Sequence, residues 1–284
     1  MPFYPWYFRR NYNRNEPDSI LNGIWHRAGK KSLTDFFRLV AETNPQQAVT
    51  LINDEHVSFP VLYILKPVIE EYGLTSSLNW RNAEAFDFIN SFSYMDHDRD
   101  YSEDLENISV YDYKKLEPST YKWMVETGIP EDGLDERFDE ILDKAVIILL
   151  REINDTSVSK VVTNLIFRRN RRDSYFHDLV WALFESTREG CLKDIAVYLC
   201  SPYRKNVELA RKLLNIVPFE KVGSRSGALE EYVFCAEWLD KNKDRLIYTG
   251  ESFQQSPDPH PFKVAAADDT RGDTGTGLQP GGCC

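Results

Sequence analysis

The stretch that decides the fold begins at Leu134 and reads LDERFDEILDKAVIILLREI over residues 134–153. Its apolar residues recur every three or four positions, which places their side chains on one face of an α-helix. The residues on that face are Leu134, Phe138, Ile141, Leu142, Ala145, Val146, Leu149 and Ile153. Ile147, Ile148 and Leu150 add a second apolar face. Because a helix that is apolar on most sides must be covered by its neighbours, the sequence predicts a central, buried helix here.

Five more amphipathic patterns follow as far as Leu239, and only short breaks separate them. They cover residues 158–166, 176–184, 192–199, 207–217 and 229–239. Gly190 ends one pattern, and Pro202 and Pro218 end two others, as expected for residues that stop helices. Connections this short predict that consecutive helices are antiparallel neighbours.

The start of every second helix recurs at roughly 40 residues, a spacing typical of paired-helix repeats. In period and pattern, this stretch of about 110 residues resembles a HEAT or armadillo solenoid. A compact, irregular bundle would show the same hydrophobic rhythm, so both architectures remain open. The predicted fold class is all-α, either a helical repeat or an irregular multi-helix bundle, with extended N- and C-terminal arms.

The remaining segments suggest a division into five parts. Helices of a first group are predicted to begin near Ser32, Asn44, Ser58 and Ser77, whereas the helical pattern fails in an acidic segment before Pro118. After Leu246 the pattern fails again, and such a tail buries too little apolar area to order itself. The predicted parts are an N-terminal arm (1–30), a first helical group (31–95), an acidic insertion or linker (96–118), a main helical array (119–247) and an extended C-terminal tail (248–284).

Composition argues against several functions. A net charge of −11 and a pI near 5.1 disfavour general binding to nucleic acid or to anionic membranes, which require a positive field. The basic run of Arg168, Arg169, Arg171 and Arg172 is interpreted as the cationic end of a helix, where the macrodipole favours positive charge. No apolar run approaches the ~20 residues that a membrane helix needs. The N-terminus lacks the apolar segment of a secretory signal, so we expect synthesis in the cytosol.

The five cysteines divide into two kinds. Cys191, Cys200 and Cys235 lie in apolar helical patterns and are predicted to be reduced, buried thiols. Cys283 and Cys284 end the tail, from which they could reach a thiol of another chain. They are candidate cross-links between subunits.

Aromatic and basic residues dominate the first positions of the chain, without helical or strand periodicity. These residue types anchor protein interfaces. We therefore interpret the segment as an arm that docks on a neighbouring subunit; the alternatives are that it packs on its own domain or is disordered. The predicted anchors are Phe3, Tyr4, Trp6, Tyr7, Phe8, Arg9 and Arg10.

Candidate chemistry is sparse, and no enzyme or cofactor is predicted. Asp96, Asp98 and Asp100 alternate as the carboxylates of calcium loops do, but Tyr101 and Asn107 stand where an EF-hand needs Gly and Glu.

A second candidate site is the His97-Asp98 pair. With His56 as an upstream ligand, it resembles the motif of HD phosphohydrolases, which implies metal-activated water. No nucleophile elbow or phosphate-binding glycine loop accompanies it.

The tail segment 271–277, RGDTGTG, resembles the glycine-rich runs of collagen-like bacterial spore-surface proteins. The aromatic opening and the terminal cysteines resemble those of spore coat proteins. These resemblances imply a structural protein that self-assembles into a layer or fibre with itself and other coat proteins, deposited on a spore or cell surface. The alternatives are a soluble helical adaptor that binds a protein or peptide and, remotely, an HD phosphohydrolase.

Overall fold

The computed structural model of this chain describes residues 19–93, 116–222, 227–253, 255–256 and 258–265. It is 75% helical, with 11 α-helices and almost no strand within those ranges, so the prediction of an all-α multi-helix protein is confirmed. The chain divides into two compact units, Met1–Leu149 (unit 1) and Leu150–Cys284 (unit 2). This division falls inside the stretch of residues 134–153 that the sequence marks as one helix.

Unit 1 contains six of these helices. They are α1 (Ile20–Thr43), α2 (Pro45–Ile52), α3 (Phe59–Glu71), α4 (Trp80–Ser93), α5 (Pro118–Gly128) and α6 (Glu136–Ile147). A 3-10 turn follows α3 at Thr75–Ser77 and another follows α5 at Ile129–Glu131, and a π-helical segment, Ile148–Glu152, follows α6. α3 has the sequence FPVLYILKPVIEE and is the most buried helix of the unit, with eight of its 13 residues buried.

The N-terminal arm that the sequence predicts over residues 1–30 is wrong from Ile20 onwards. α1 begins at Ile20, ahead of the predicted start near Ser32, and the Ser19 hydroxyl caps it by accepting a bond from the Asn22 amide at 3.1 Å. Gly29 interrupts the helix with φ 82° and ψ 179°, a backbone conformation open mainly to glycine. The break divides the apolar pattern, which is why periodicity alone did not reveal the first segment.

Unit 2 contains the other five described helices and the two described strands. They are α7 (Ser159–Arg171), α8 (His177–Thr187), α9 (Leu192–Ala196), α10 (Arg204–Leu213), α11 (Ala228–Asn242), β1 (Leu246–Tyr248) and β2 (Phe262–Val264). Short 3-10 segments lie at Thr156–Val158, Arg188–Cys191, Val197–Cys200, Phe219–Lys221 and Lys243–Arg245. The predicted helix over 192–199 is therefore partly 3-10.

The predicted extended tail is wrong for its first part, because the chain folds back as far as Ala265. β1 and β2 pair antiparallel, with Tyr248 opposite Phe262. Phe262 is buried and its ring meets that of Phe184 on α8 with centroids 5.3 Å apart. The Asn215 side-chain amide also donates to the Pro259 carbonyl at 2.8 Å. A single buried aromatic residue and a few hydrogen bonds thus order a segment with no helical pattern.

The cysteine prediction is confirmed for two thiols and wrong for the third. Cys191 and Cys235 are reduced and buried. Cys200 is partly exposed, and its sulfur contacts the Ala228 carbonyl oxygen at 3.5 Å.

None of the helices in the described ranges combines the length and the apolar character that crossing a bilayer requires.

Candidate functional site

The most constrained surface feature of unit 1 is the loop between α2 and α3, residues 53–58, which we call the clamped loop. Six consecutive backbone carbonyls, those of residues 52–57, each accept a hydrogen bond from a side chain outside the loop. The start of α4 supplies four of these bonds: Asn82 Nδ2 to Ile52 O (2.7 Å), Asn79 Nδ2 to Asn53 O (3.2 Å), Arg81 Nη2 to Asp54 O (3.5 Å) and Arg81 Nη1 to Glu55 O (2.9 Å).

Two other helices complete the set. Asn22 on α1 donates to the His56 carbonyl at 2.7 Å, and Trp123 on α5 donates from Nε1 to the Val57 carbonyl at 3.2 Å. The side-chain oxygen of Asn22, Oδ1, also accepts from the Ser58 backbone amide (3.1 Å) and hydroxyl (3.0 Å). Helices α1, α4 and α5 therefore hold one loop from separate directions.

Asparagine suits this role because its side chain carries both donors and acceptors. Backbone carbonyls that leave water need a partner, and an irregular loop provides few within itself. Asn82 and Asn22 are buried, so their amides meet that need inside the protein. The result is a loop whose main chain is fixed before any partner arrives.

Arg81 adds a charge to this arrangement. Its guanidinium carbon lies 4.3 Å from the centroid of the Trp123 ring, a cation–π distance. Burial lowers the pKa of Arg81, while the nearby carboxylates of Asp54 and Glu55 raise it. Because an arginine stays protonated through such shifts, the clamp retains its positive charge at neutral pH.

Three side chains project from this fixed framework into solvent. The Glu55 and His56 side chains are 86% and 40% exposed, and Trp80, between Asn79 and Arg81, is 59% exposed. An exposed tryptophan on rigid backbone is a residue type that dominates binding energy at protein interfaces. We call Glu55, His56 and Trp80 the clamped-loop surface.

The charge of the chain is concentrated in the unit that carries this surface. Residues 1–149 contain 26 Asp or Glu against 15 Lys or Arg, which gives the whole net charge of −11. Residues 150–284 contain 19 of each kind and are neutral. A ligand of the clamped-loop surface therefore approaches an acidic body.

The structure does not assemble a metal centre from the residues it describes. His56, the candidate upstream ligand of the HD hypothesis, lies 3.4 Å from the carboxylate of its own neighbour Glu55. Across the described part of the chain, no group of three or more His, Cys, Asp or Glu side chains is placed to hold an ion. The other HD candidates, His97 and Asp98, lie outside the described residues.

The remaining site residues predicted from the sequence also lie outside the described residues. They are the arm anchors Phe3, Tyr4, Trp6, Tyr7, Phe8, Arg9 and Arg10, the cross-link candidates Cys283 and Cys284, and the acidic candidates Asp96, Asp98 and Asp100. The clamped loop was not predicted. Its only sequence signal is the group of asparagines at 53, 79 and 82, which reads more simply as turns and helix caps.

No family model, curated protein or solved structure matches this chain. Its class is therefore set by architecture: an all-α, multi-helix protein that presents a rigid acidic loop beside an exposed tryptophan.

Proposed function

We propose that the protein is a non-catalytic binding module that recognises a basic segment of a partner protein through the clamped-loop surface. The observation that supports this function is the fixation of six consecutive backbone carbonyls, those of residues 52–57, by side chains of α1, α5 and the start of α4. Of the functions considered from the sequence, this is the adaptor. The proposal leaves open whether the helices form a solenoid or a bundle.

Rigidity favours binding because association otherwise has to order the interface. Immobilising a flexible side chain or loop costs roughly 0.5–1.5 kcal/mol for each rotamer-rich side chain. Trp80 is the first residue of α4, and its neighbours Asn79 and Arg81 are both bonded to the clamped loop, so binding through Trp80 has little backbone left to order. A tryptophan has only two side-chain torsions, and it brings a large contact area at little entropic cost.

Charge selects the kind of partner. An acidic unit with Glu55 at its surface attracts lysine- or arginine-rich segments and repels acidic ones. Such attraction acts mainly on the association rate and weakens with salt. We therefore expect binding that falls as ionic strength rises.

Self-assembly through the N-terminal aromatic residues and the terminal cysteines stays a prediction, because those residues lie outside the described ranges. The parts of the two predicted arms that are described, residues 19–30 and 248–265, take up structure within their own units. Light scattering after size exclusion separates the two functions, since a binding module remains a monomer and a coat subunit forms polymers.

The binding function is tested with an array of short peptides rich in lysine or arginine, followed by fluorescence anisotropy on the full-length protein. We expect Trp80→Ala and Glu55→Lys each to lower the affinity at least tenfold, about 1.4 kcal/mol, because one removes the anchor and the other reverses the charge. Two variants on α1 serve as matched controls. Leu39→Ala removes an apolar side chain that is 58% exposed, against 59% for Trp80, and Glu42→Lys reverses an exposed charge.

The controls should bind as the wild type does. If no basic peptide binds, or if Leu39→Ala and Glu42→Lys weaken binding as much as the other pair, the clamped-loop surface is not the recognition site.

A further inference from the structure

A second candidate site lies in unit 2 and does not depend on the clamped loop. It is a cleft of about 300 Å³ between the turn after α7, the start of α8, one face of α10 and the chain near Phe253. Asn170, His177, Lys205 and Lys212 also line it. This volume is at the lower end for small-molecule sites.

The long connection between the two strands places Phe253 in this cleft. The connection is closed at its base by a bond from the Thr249 amide to the Pro261 carbonyl (2.9 Å), and Asn215 holds Pro259. The Phe253 ring stacks on His177 with centroids 4.9 Å apart and planes inclined by 21°. Lys212 Nζ lies 4.7 Å from the centroid of the same ring.

Two polar groups of the cleft have no hydrogen-bonding or ionic partner among the described residues. Lys205 is satisfied, since both carboxylate oxygens of Asp173 lie 2.6 Å from its Nζ. Lys212, in contrast, has no carboxylate within ion-pair distance in the described ranges, and its ammonium lies over the Phe253 ring. The ring nitrogens of His177 likewise form no hydrogen bond within the described structure, although its ring meets three aromatic neighbours.

The charged side chains that line the cleft are Lys205 and Lys212 against Asp173 and Glu208. Lys205 pairs with Asp173, and Glu208 pairs with Arg204 at 2.6 Å. Within the described residues, the Lys212 ammonium is therefore the cation of the lining that is left for an anion.

We propose that this cleft binds a phosphate monoester that carries an aromatic ring. The Lys212 ammonium and the His177 imidazole supply the donors for the phosphate, as charge-assisted hydrogen bonds. Phe253 supplies an apolar surface for the ring of the ligand. A free metabolite and a phosphotyrosine side chain share this chemistry.

Binding should strengthen as the pH falls, because a phosphate beside His177 stabilises the protonated imidazole. In the unliganded protein, burial and the charge of Lys212 lower the pKa of His177, whereas Asp178 on the same helix raises it. The other charged groups that line the cleft are Lys205 and Glu208 on α10 and Asp173 in the turn after α7. A bound phosphate therefore raises the pKa of His177, which can be followed in the NMR spectrum of its ring.

The test titrates the full-length protein with inorganic phosphate, phenyl phosphate and a phosphotyrosine tripeptide by calorimetry. We expect phenyl phosphate to bind at least fivefold more tightly than inorganic phosphate, and Lys212→Ala to weaken phenyl phosphate at least tenfold. Lys193→Ala is the control, because it removes an exposed lysine of the same unit that pairs with Asp240 and does not line the cleft. It should leave the affinity unchanged.

Tighter binding of the tripeptide than of phenyl phosphate would identify a modified protein as the source of the ligand, and equal binding a small molecule. The proposal is overturned if no probe binds at millimolar concentration, if Lys212→Ala and Lys193→Ala have the same effect, or if phosphate leaves the pKa of His177 unchanged.

Discussion

At the scale of single residues, Asn82 shows how the clamped loop depends on individual amides. Asn82 is fully buried, donates to the Ile52 carbonyl at 2.7 Å and accepts from Arg81 Nε at 3.2 Å. Asn82→Ala would leave both groups without this partner and open a small cavity, so we expect a loss of about 2 kcal/mol in the free energy of unfolding. Urea denaturation measures it as a lower midpoint with an unchanged slope.

Gln46→Ala on α2 is the control for this prediction, because Gln46 is an exposed helical residue whose truncation should change stability by less than about 0.5 kcal/mol. Equal midpoints for the two variants would show that the amide of Asn82 does not stabilise the loop.

Asn82 also shows why the loop could not be predicted from the sequence. An asparagine near the start of a helix is ordinarily interpreted as a cap, but the cap here is Asn79, whose Oδ1 accepts from the Asn82 backbone amide at 2.9 Å. The partner that matters to the loop, the Ile52 carbonyl, is 30 residues away. Local pattern contains no information about that distance.

At the scale of elements, the break in α1 rests on Gly29. A Cβ added at this position would meet nothing within 4 Å, so the cost of a larger residue comes only from its positive φ. We expect Gly29→Ala to reduce the free energy of unfolding by about 1–3 kcal/mol, or to straighten the helix and pull Asn22 away from the clamped loop. Thermal unfolding monitored by circular dichroism gives the first effect, and hydrogen exchange of residues 53–58 gives the second.

Gly190→Ala separates backbone strain from the simple loss of a glycine. Gly190 also has open space around it, but its φ is not in the positive range. The alanine there should leave stability unchanged or raise it by up to about 1 kcal/mol. A Gly29→Ala protein as stable as Gly190→Ala would contradict the strain argument.

Elements with a strong apolar period were predictable from the sequence, and short or interrupted ones were not. The backbone hydrogen bonds of α3 and α6 form within each helix. The spacing of their own apolar residues, as in residues 134–153 for α6, is therefore enough to predict a helix. β1 and β2 are three residues each and depend on pairing across the connection that carries Phe253 and on the packing of Phe262 against Phe184. Strand pairing over such a separation leaves no periodic signal.

At the scale of the whole molecule, alkaline pH should weaken unit 2 through its buried thiols. Burial raises the pKa of both Cys191 and Cys235 from 9.0 to about 12. It also raises the pKa of the Tyr198 hydroxyl, to about 12. The native protein thus holds these protons more tightly than the unfolded chain does, and the thiols contribute their full stability below pH 9. That contribution is lost as the pH rises from 9 towards 12.

Between pH 8 and 10.5 we expect the free energy of unfolding to fall by on the order of 2 kcal/mol for each of the two thiols. Urea titrations at both pH values measure this difference. The double variant Cys191→Ala/Cys235→Ala should lose much of this pH dependence. Its two smaller core side chains lower the free energy of unfolding by the same amount at both pH values, so that loss cancels when the two values are subtracted. Cys200→Ala is the control, because that thiol is partly exposed and should carry little of the effect. If the free energy of unfolding of the double variant falls with pH as steeply as that of the wild type, the ionisation of these thiols does not limit the alkaline stability of the protein.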